Sequence, residues 1–143
     1  MSKFYVLEPE VPGGLGERTS LDSTQHPPVV HRLHFVFDGW LGDHLIESFP
    51  CYLVSETLAD RLRENQLTGA SLEAAEIGAS EQFKDLHPDR ALPKFLWLKV
   101  NGVAGTDDFG ITSDNLLAVS KRVLDVILRT EPKGLTYQEH DSA

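Results

Sequence analysis

The residues able to do chemistry are few and scattered. His31 and His34 form an H-x-x-H pair, a spacing that could offer two imidazoles to one metal ion. On a strand the same spacing sends the rings to opposite faces, so surface or edge histidines are expected there. Adjacent Asp107 and Asp108 could supply half of a divalent-cation site, because hard cations take carboxylate oxygens. Coming after Asn101-Gly102, a strong turn signal, they also read as a solvated acidic loop. The single cysteine, Cys51, follows His44 by seven residues, which would allow a thiolate–imidazole nucleophile. Cys51 sits inside an apolar run, however, where a thiol is normally a small core residue. Pro12-Gly13-Gly14-Leu15-Gly16 is glycine-rich, but no Gly-Lys-Ser/Thr follows and no helix opens there, so a phosphate loop is not expected. Catalytic residues, metal ligands and cofactors are expected to be absent.

The elements that would carry such groups follow a repeated pattern. Cys51-Tyr52-Leu53-Val54-Ser55 precedes Glu56 to Arg63, and Leu116-Leu117-Ala118-Val119-Ser120 precedes Lys121 to Leu128. Each copy has a short apolar run, a serine, and apolar residues at helical spacing. A serine in that place can accept a first-turn amide proton, which makes it a good N-cap. Leu58/Leu62 in one copy, and Val123/Ile127 or Leu124/Leu128 in the other, share a helix face. Two strand–serine–helix units are therefore expected.

Elsewhere, Phe4 to Leu7 reads as a first strand, and the stretch 11–28 as a long flexible or partner-facing loop. Val29 to Phe37 reads as one strand ending at Asp38-Gly39, and Phe49 to Val54 as the next. A helix is expected over Glu56–Asn65, closed near Gly69, then a short strand over Leu72–Ile77. Glu81 to Leu86 fits a short helix capped by Ser80 and ended before Pro88. Lys94 to Val100 is the clearest strand: Phe95 and Trp97 face one way, Leu96, Leu98 and Val100 the other. The tail 131–143 is polar and expected to fray. Strands and helices mix without regular βαβ spacing, so the chain reads as one α+β domain over residues 1–143. It should hold a mixed or antiparallel sheet and two to three helices.

Charge narrows the choice of partner. Against 13 Lys and Arg stand 22 Asp and Glu, a formal net charge of −9. No Lys or Arg lies between Arg32 and Arg61, or between Lys99 and Lys121. Phosphate binding needs the opposite sign, so nucleic acid is not an expected ligand, nor is an anionic membrane surface. No apolar run approaches the roughly 20 residues of a membrane span. The N-terminal residues lack a signal-peptide core. One cysteine fits a reducing compartment, and a cytoplasmic location is expected. A basic protein is the natural counterpart, because complementary fields raise association rates and fix orientation.

The remaining unusual segment is Phe37-Asp38-Gly39-Trp40-Leu41-Gly42-Asp43, a tryptophan set among glycines and acids. It suits an interface anchor, and equally a plug at the end of a sheet. This segment is followed in order by Leu67-Thr68-Gly69, Asp107-Asp108-Phe109-Gly110-Ile111, and Leu117-Ala118-Val119-Ser120 before a helix. Together these resemble a family of bacterial immunity proteins of polymorphic toxin systems, abundant in myxobacteria and other proteobacteria. The resemblance covers roughly residues 30–130 and contains no catalytic signature. It implies a role: such a protein binds a cognate toxin domain in the cytoplasm and blocks its active site or substrate groove. It implies no particular binding residues.

The lysine- and arginine-free stretches follow expected strand ends, and loops on a rigid scaffold are where binding residues gather. Asp38, Trp40, Asp43, Glu47, Asp107, Asp108 and Asp114 are accordingly the expected partner-binding residues. Two other functions compete: a small cytoplasmic metal-dependent enzyme using Asp107 and Asp108, and an acidic regulatory interaction domain.

Overall fold

A computed structural model describes residues 3–141. In chain order the elements are β1 (Lys3–Glu8), β2 (Gly13–Leu15), β3 (Ser20–Asp22), β4 (Val29–Arg32), β5 (His34–Phe37), β6 (Leu45–Ser48) and β7 (Cys51–Ser55). They continue with α1 (Glu56–Glu64), β8 (Ala70–Ala74), β9 (Glu76–Ala79), α2 (Glu81–Leu86), β10 (Phe95–Val100), β11 (Phe109–Ile111), β12 (Leu117–Val119), α3 (Lys121–Leu128) and β13 (Thr136–Asp141). The strands form sheets in the orders β11-β12-β1-β13, β6-β7-β10-β8 and β2-β5-β9, with a β3–β4 hairpin beside them. All registers are antiparallel except the parallel β5–β9 pair, so the fold is α+β with mixed sheets.

The β6-β7-β10-β8 sheet lies between two apolar cores. On one side Phe95 and Trp97 join Leu53, Cys51 and Ile46 against Phe35, Phe37 and Phe83. On the other, Leu98, with Leu96 packed against it, joins Val54, Tyr52 and Leu45 against the two long helices and the β11-β12-β1-β13 sheet. Burial on both faces explains why β7 is apolar from Cys51 to Val54, with all five of its residues buried. The alternation read along Lys94–Val100 therefore separates two cores, not a core from solvent.

Both strand–serine–helix units are present. The Ser55 hydroxyl accepts the Leu58 amide at 3.1 Å and Ser80 accepts Phe83 at 3.1 Å. Ser120 accepts the Val123 amide at 3.4 Å. Helix α1 buries Leu58, Ala59 and Leu62, and α3 buries Val123, Leu124, Val126 and Ile127. The two helices pack on each other in the same core.

The structure revises several expected boundaries. Residues 11–28 are not one loop: β2 pairs with β5, and β3 with β4. The expected strand over Val29–Phe37 divides at buried Leu33, because β4 pairs with β3 whereas β5 pairs with β2 and β9. Leu72–Ile77 divides in the same way, β8 joining β10 and β9 joining β5. Strand β6, unrecognised in the sequence, pairs with β7. The expected frayed tail is also corrected: within it β13 pairs along the whole of β1, from Lys3↔Asp141 to Glu8↔Thr136. The last two residues of that tail lie outside the described region.

Leu62→Ala and Ile127→Ala should each lower the unfolding free energy by about 2–5 kcal/mol, because each empties a buried site between α1 and α3. A denaturant melt measures this; a neutral result for either would contradict the packing of the helix pair.

Candidate functional site

The segment after β5 folds into a knot of four chain regions. Trp40 is half-buried, and its indole Nε1 donates to the Asp43 carbonyl at 3.0 Å. Its ring meets Phe37 and Phe95 edge-on, each at 5.8 Å. The Arg90 guanidinium lies 4.4 Å over the indole and donates to the Trp40 carbonyl at 2.8 Å. Trp40 therefore closes the end of the phenylalanine core and is itself covered by a cation.

Asp43 is 2% exposed, and its two oxygens accept the backbone amides of Lys133 at 2.7 Å and Gly134 at 2.8 Å. Buried and engaged in this way, it anchors the approach to β13 and does not face a partner. Glu10 enters the same knot, accepting the Leu41 amide at 2.7 Å through Oε2, while its buried Oε1 has no partner. Burial raises the Glu10 carboxyl above its ordinary range, more than the Leu41 amide lowers it, and Asp43 adds repulsion. Glu47, half-buried on β6, is likewise raised by burial and then by Glu8. Asp38 is exposed.

The second acidic stretch lies elsewhere. Asp107 accepts the Val103 amide at 2.8 Å within its own loop. Asp108 accepts the Thr68 amide at 2.9 Å, the Ser120 hydroxyl at 2.7 Å and Arg122 Nη2 at 2.9 Å. Burial alone would raise the Asp108 carboxyl, but hydrogen bonds from Arg122, Thr68 and Ser120 prevail and hold it at about 2. It ties α3 to the turn after α1. Gly69 in that turn has φ +93°, and a Cβ there would sit 2.2 Å from the Phe109 carbonyl oxygen. Asp114 is exposed at the turn before β12. Asp38 and Asp114 are thus the exposed carboxylates of the expected set, whereas Asp43 and Asp108 are internal struts with no shared partner.

The other candidate groups also have structural occupations. Cys51 is 2% exposed, and burial pushes its thiol up to about 12, so it stays protonated. His44 Nδ1 lies 2.6 Å from Ser55 Oγ, a contact the sequence did not suggest. Ser55 is fully buried and already caps α1, so its hydroxyl cannot reach a substrate. Burial, then Arg61, lowers the His44 pKa despite Asp43. His34 accepts the Arg18 amide through Nδ1, with Nε2 3.7 Å from Glu76, a carboxylate that also binds Arg18 and Arg32. Gly13 serves close strand contact, since a Cβ there would lie 1.9 Å from the Val36 carbonyl oxygen, and a Cβ on Gly16 would meet the His34 ring. Among the described residues, no group of three or more His, Cys, Asp or Glu is arranged to hold a metal ion. Among these described residues, no helix is long and apolar enough to cross a membrane.

A concave surface remains, on the face of the β11-β12-β1-β13 sheet turned away from the helices. Phe4, Val6 and Glu8 of β1 lie beside His140, Gln138 and Thr136 of β13. The turn 112–116 walls this groove of about 720 Å³. No protein-family model matches the chain, and neither the curated proteins nor the solved structures offer a significant match.

Two expected outcomes test the acid assignments. Asp43→Asn should cost about 1–3 kcal/mol, since an amide NH₂ would face one of the two buried N–H donors. Hydrogen exchange should quicken in β13 before β7; unchanged β13 exchange would refute the anchor. The Asp108 carboxyl is depressed in the fold, so its stabilisation is complete above 3.8 and lost as pH falls through about 2. The stability gap between the parent and Asp108→Asn should therefore narrow over that interval in acid melts.

Proposed function

We propose that this protein is a bacterial immunity protein that binds a cognate toxin domain in the cytoplasm and covers its active site with an acidic surface. The observation that supports this reading is the imbalance of ion pairing. Nine Lys and Arg residues are paired to carboxylates (Lys3, Arg18, Arg32, Arg63, Lys84, Lys94, Lys99, Lys121 and Arg122). Arg90 is held over Trp40. Exposed Glu8, Glu17, Asp38, Asp85, Asp89 and Asp114 take part in none of these pairs. These unpaired carboxylates leave an excess of negative charge in solvent, where it would attract and orient a basic partner.

A toxin that cuts nucleic acid must carry a basic cleft, and such a cleft is the best complement to this surface. An acidic inhibitor seated there excludes the phosphate backbone. The imidazole–hydroxyl pair, the thiol and the buried carboxylates have been put to work inside the fold, which favours binding over chemistry.

The test is to identify a toxin-like open reading frame beside the gene and co-express its product, followed by co-purification and stopped-flow association. The complex should form with a rate constant that falls steeply with salt, and Asp38→Lys should slow association while the variant melts like the parent. A salt-independent association rate, or no complex at all, would overturn the reading.

A further inference from the structure

We propose that the groove on the outer face of the β11-β12-β1-β13 sheet is the docking site for an extended, Lys/Arg-bearing segment of a protein partner. This deepens the immunity reading and rests on it for the partner's biological identity, though the groove can be probed independently.

Three features argue for that occupant. The floor is apolar and aromatic: Phe4, Val6 and Leu116 line it, and the Phe4 ring stacks on His140 at 5.7 Å with planes 20° apart. A guanidinium or an aliphatic lysine stem packs well on such a surface, through cation–π contact and stem burial. The rim is acidic: Glu8 and Asp114 line the groove, and no Lys or Arg does. Four further cavities each present a cation, Lys99, Arg63, Lys94, and Arg61 with Arg129. Among the described residues, this concavity places carboxylates over an apolar floor with no lysine or arginine in its lining.

The walls are also preformed. Thr112 N donates to the Leu116 carbonyl at 2.9 Å, Leu116 N to Thr112 Oγ1 at 3.1 Å, and Asn115 N to the Thr112 carbonyl at 2.9 Å. Glu8 is steadied by the Thr136 hydroxyl at 3.3 Å across the β1–β13 pair. A partner would meet an ordered turn and a steadied Glu8, and lose little affinity to ordering them. β13 is also the outermost strand of its sheet, so a long, straight segment can approach from the side.

The probe is a synthetic peptide alternating arginine with valine, titrated into the full chain at low salt and followed by backbone amide NMR. Shifts should concentrate in β1, β13 and residues 112–116. The Glu8→Lys/Asp114→Lys double variant should weaken binding at least tenfold, and Glu8→Gln/Asp114→Asn should weaken it less. Both should melt like the parent, because each residue is exposed. Shifts spread evenly over all exposed acids, an unchanged affinity in the double reversal, or spermidine binding as well at equal ionic strength would overturn the proposal. The same variants assayed against the co-expressed toxin separate the two readings. Toxin binding that survives the double reversal refutes the groove and leaves the immunity role standing. Peptide captured in the groove without any toxin complex refutes the immunity role and leaves the groove standing.

Discussion

The grip of Asp43 on the Lys133 and Gly134 amides connects two parts of the chain some 90 residues apart, and much of the architecture depends on it. Two backbone donors ending on one buried carboxylate form charge-assisted bonds, stronger than neutral ones and directional. They hold the chain that leads into β13, and β13 closes one side of the sheet that carries the groove. Without this clamp, β13 would depend on the pairing of six polar-rich residues with β1 alone. The neighbouring contacts serve the same geometry. The Trp40 indole bonds the Asp43 carbonyl, Arg90 covers the indole, and Glu10 holds the Leu41 amide.

Asp108 performs a parallel task elsewhere in the fold. It receives Thr68, Ser120 and Arg122, so a single acid fixes the turn after α1, the cap of α3 and a cation on the first turn of α3. Charge in this protein is therefore divided by burial. Carboxylates that meet backbone amides organise the fold, and carboxylates left in solvent shape its field. In the function proposed above, a partner would be attracted by the second group and seated on a surface that the first group holds in place.

The helices were legible in the sequence because their determinants are local. Ser55, Ser80 and Ser120 stand next to the amides they cap, and the i,i+4 pairs that face the core lie within one helix. The strand Phe95–Val100 was legible for a similar reason, since alternation is written along the chain. Its meaning was not. Two apolar faces can cover two cores or one core and an interface, and the second covering comes from β5, α2 and their phenylalanines, distant in sequence.

The candidate site divides along the same line. The sequence by itself determined the negative charge, the acidic stretches, the serine-capped helices and the α+β class, because composition and short-range periodicity suffice for these. Tertiary structure decided which acids reach solvent. Asp38 and Asp43 look alike in the chain, yet one is exposed and the other is 2% exposed beneath the segment at 133–134. It also decided that Val29–Phe37 serves two sheets, that the polar tail is a strand, and that Glu8 and Asp114 border one groove. Each of these depends on hydrogen bonds or packing between segments tens of residues apart. No local pattern encodes which backbone donor a carboxylate will meet.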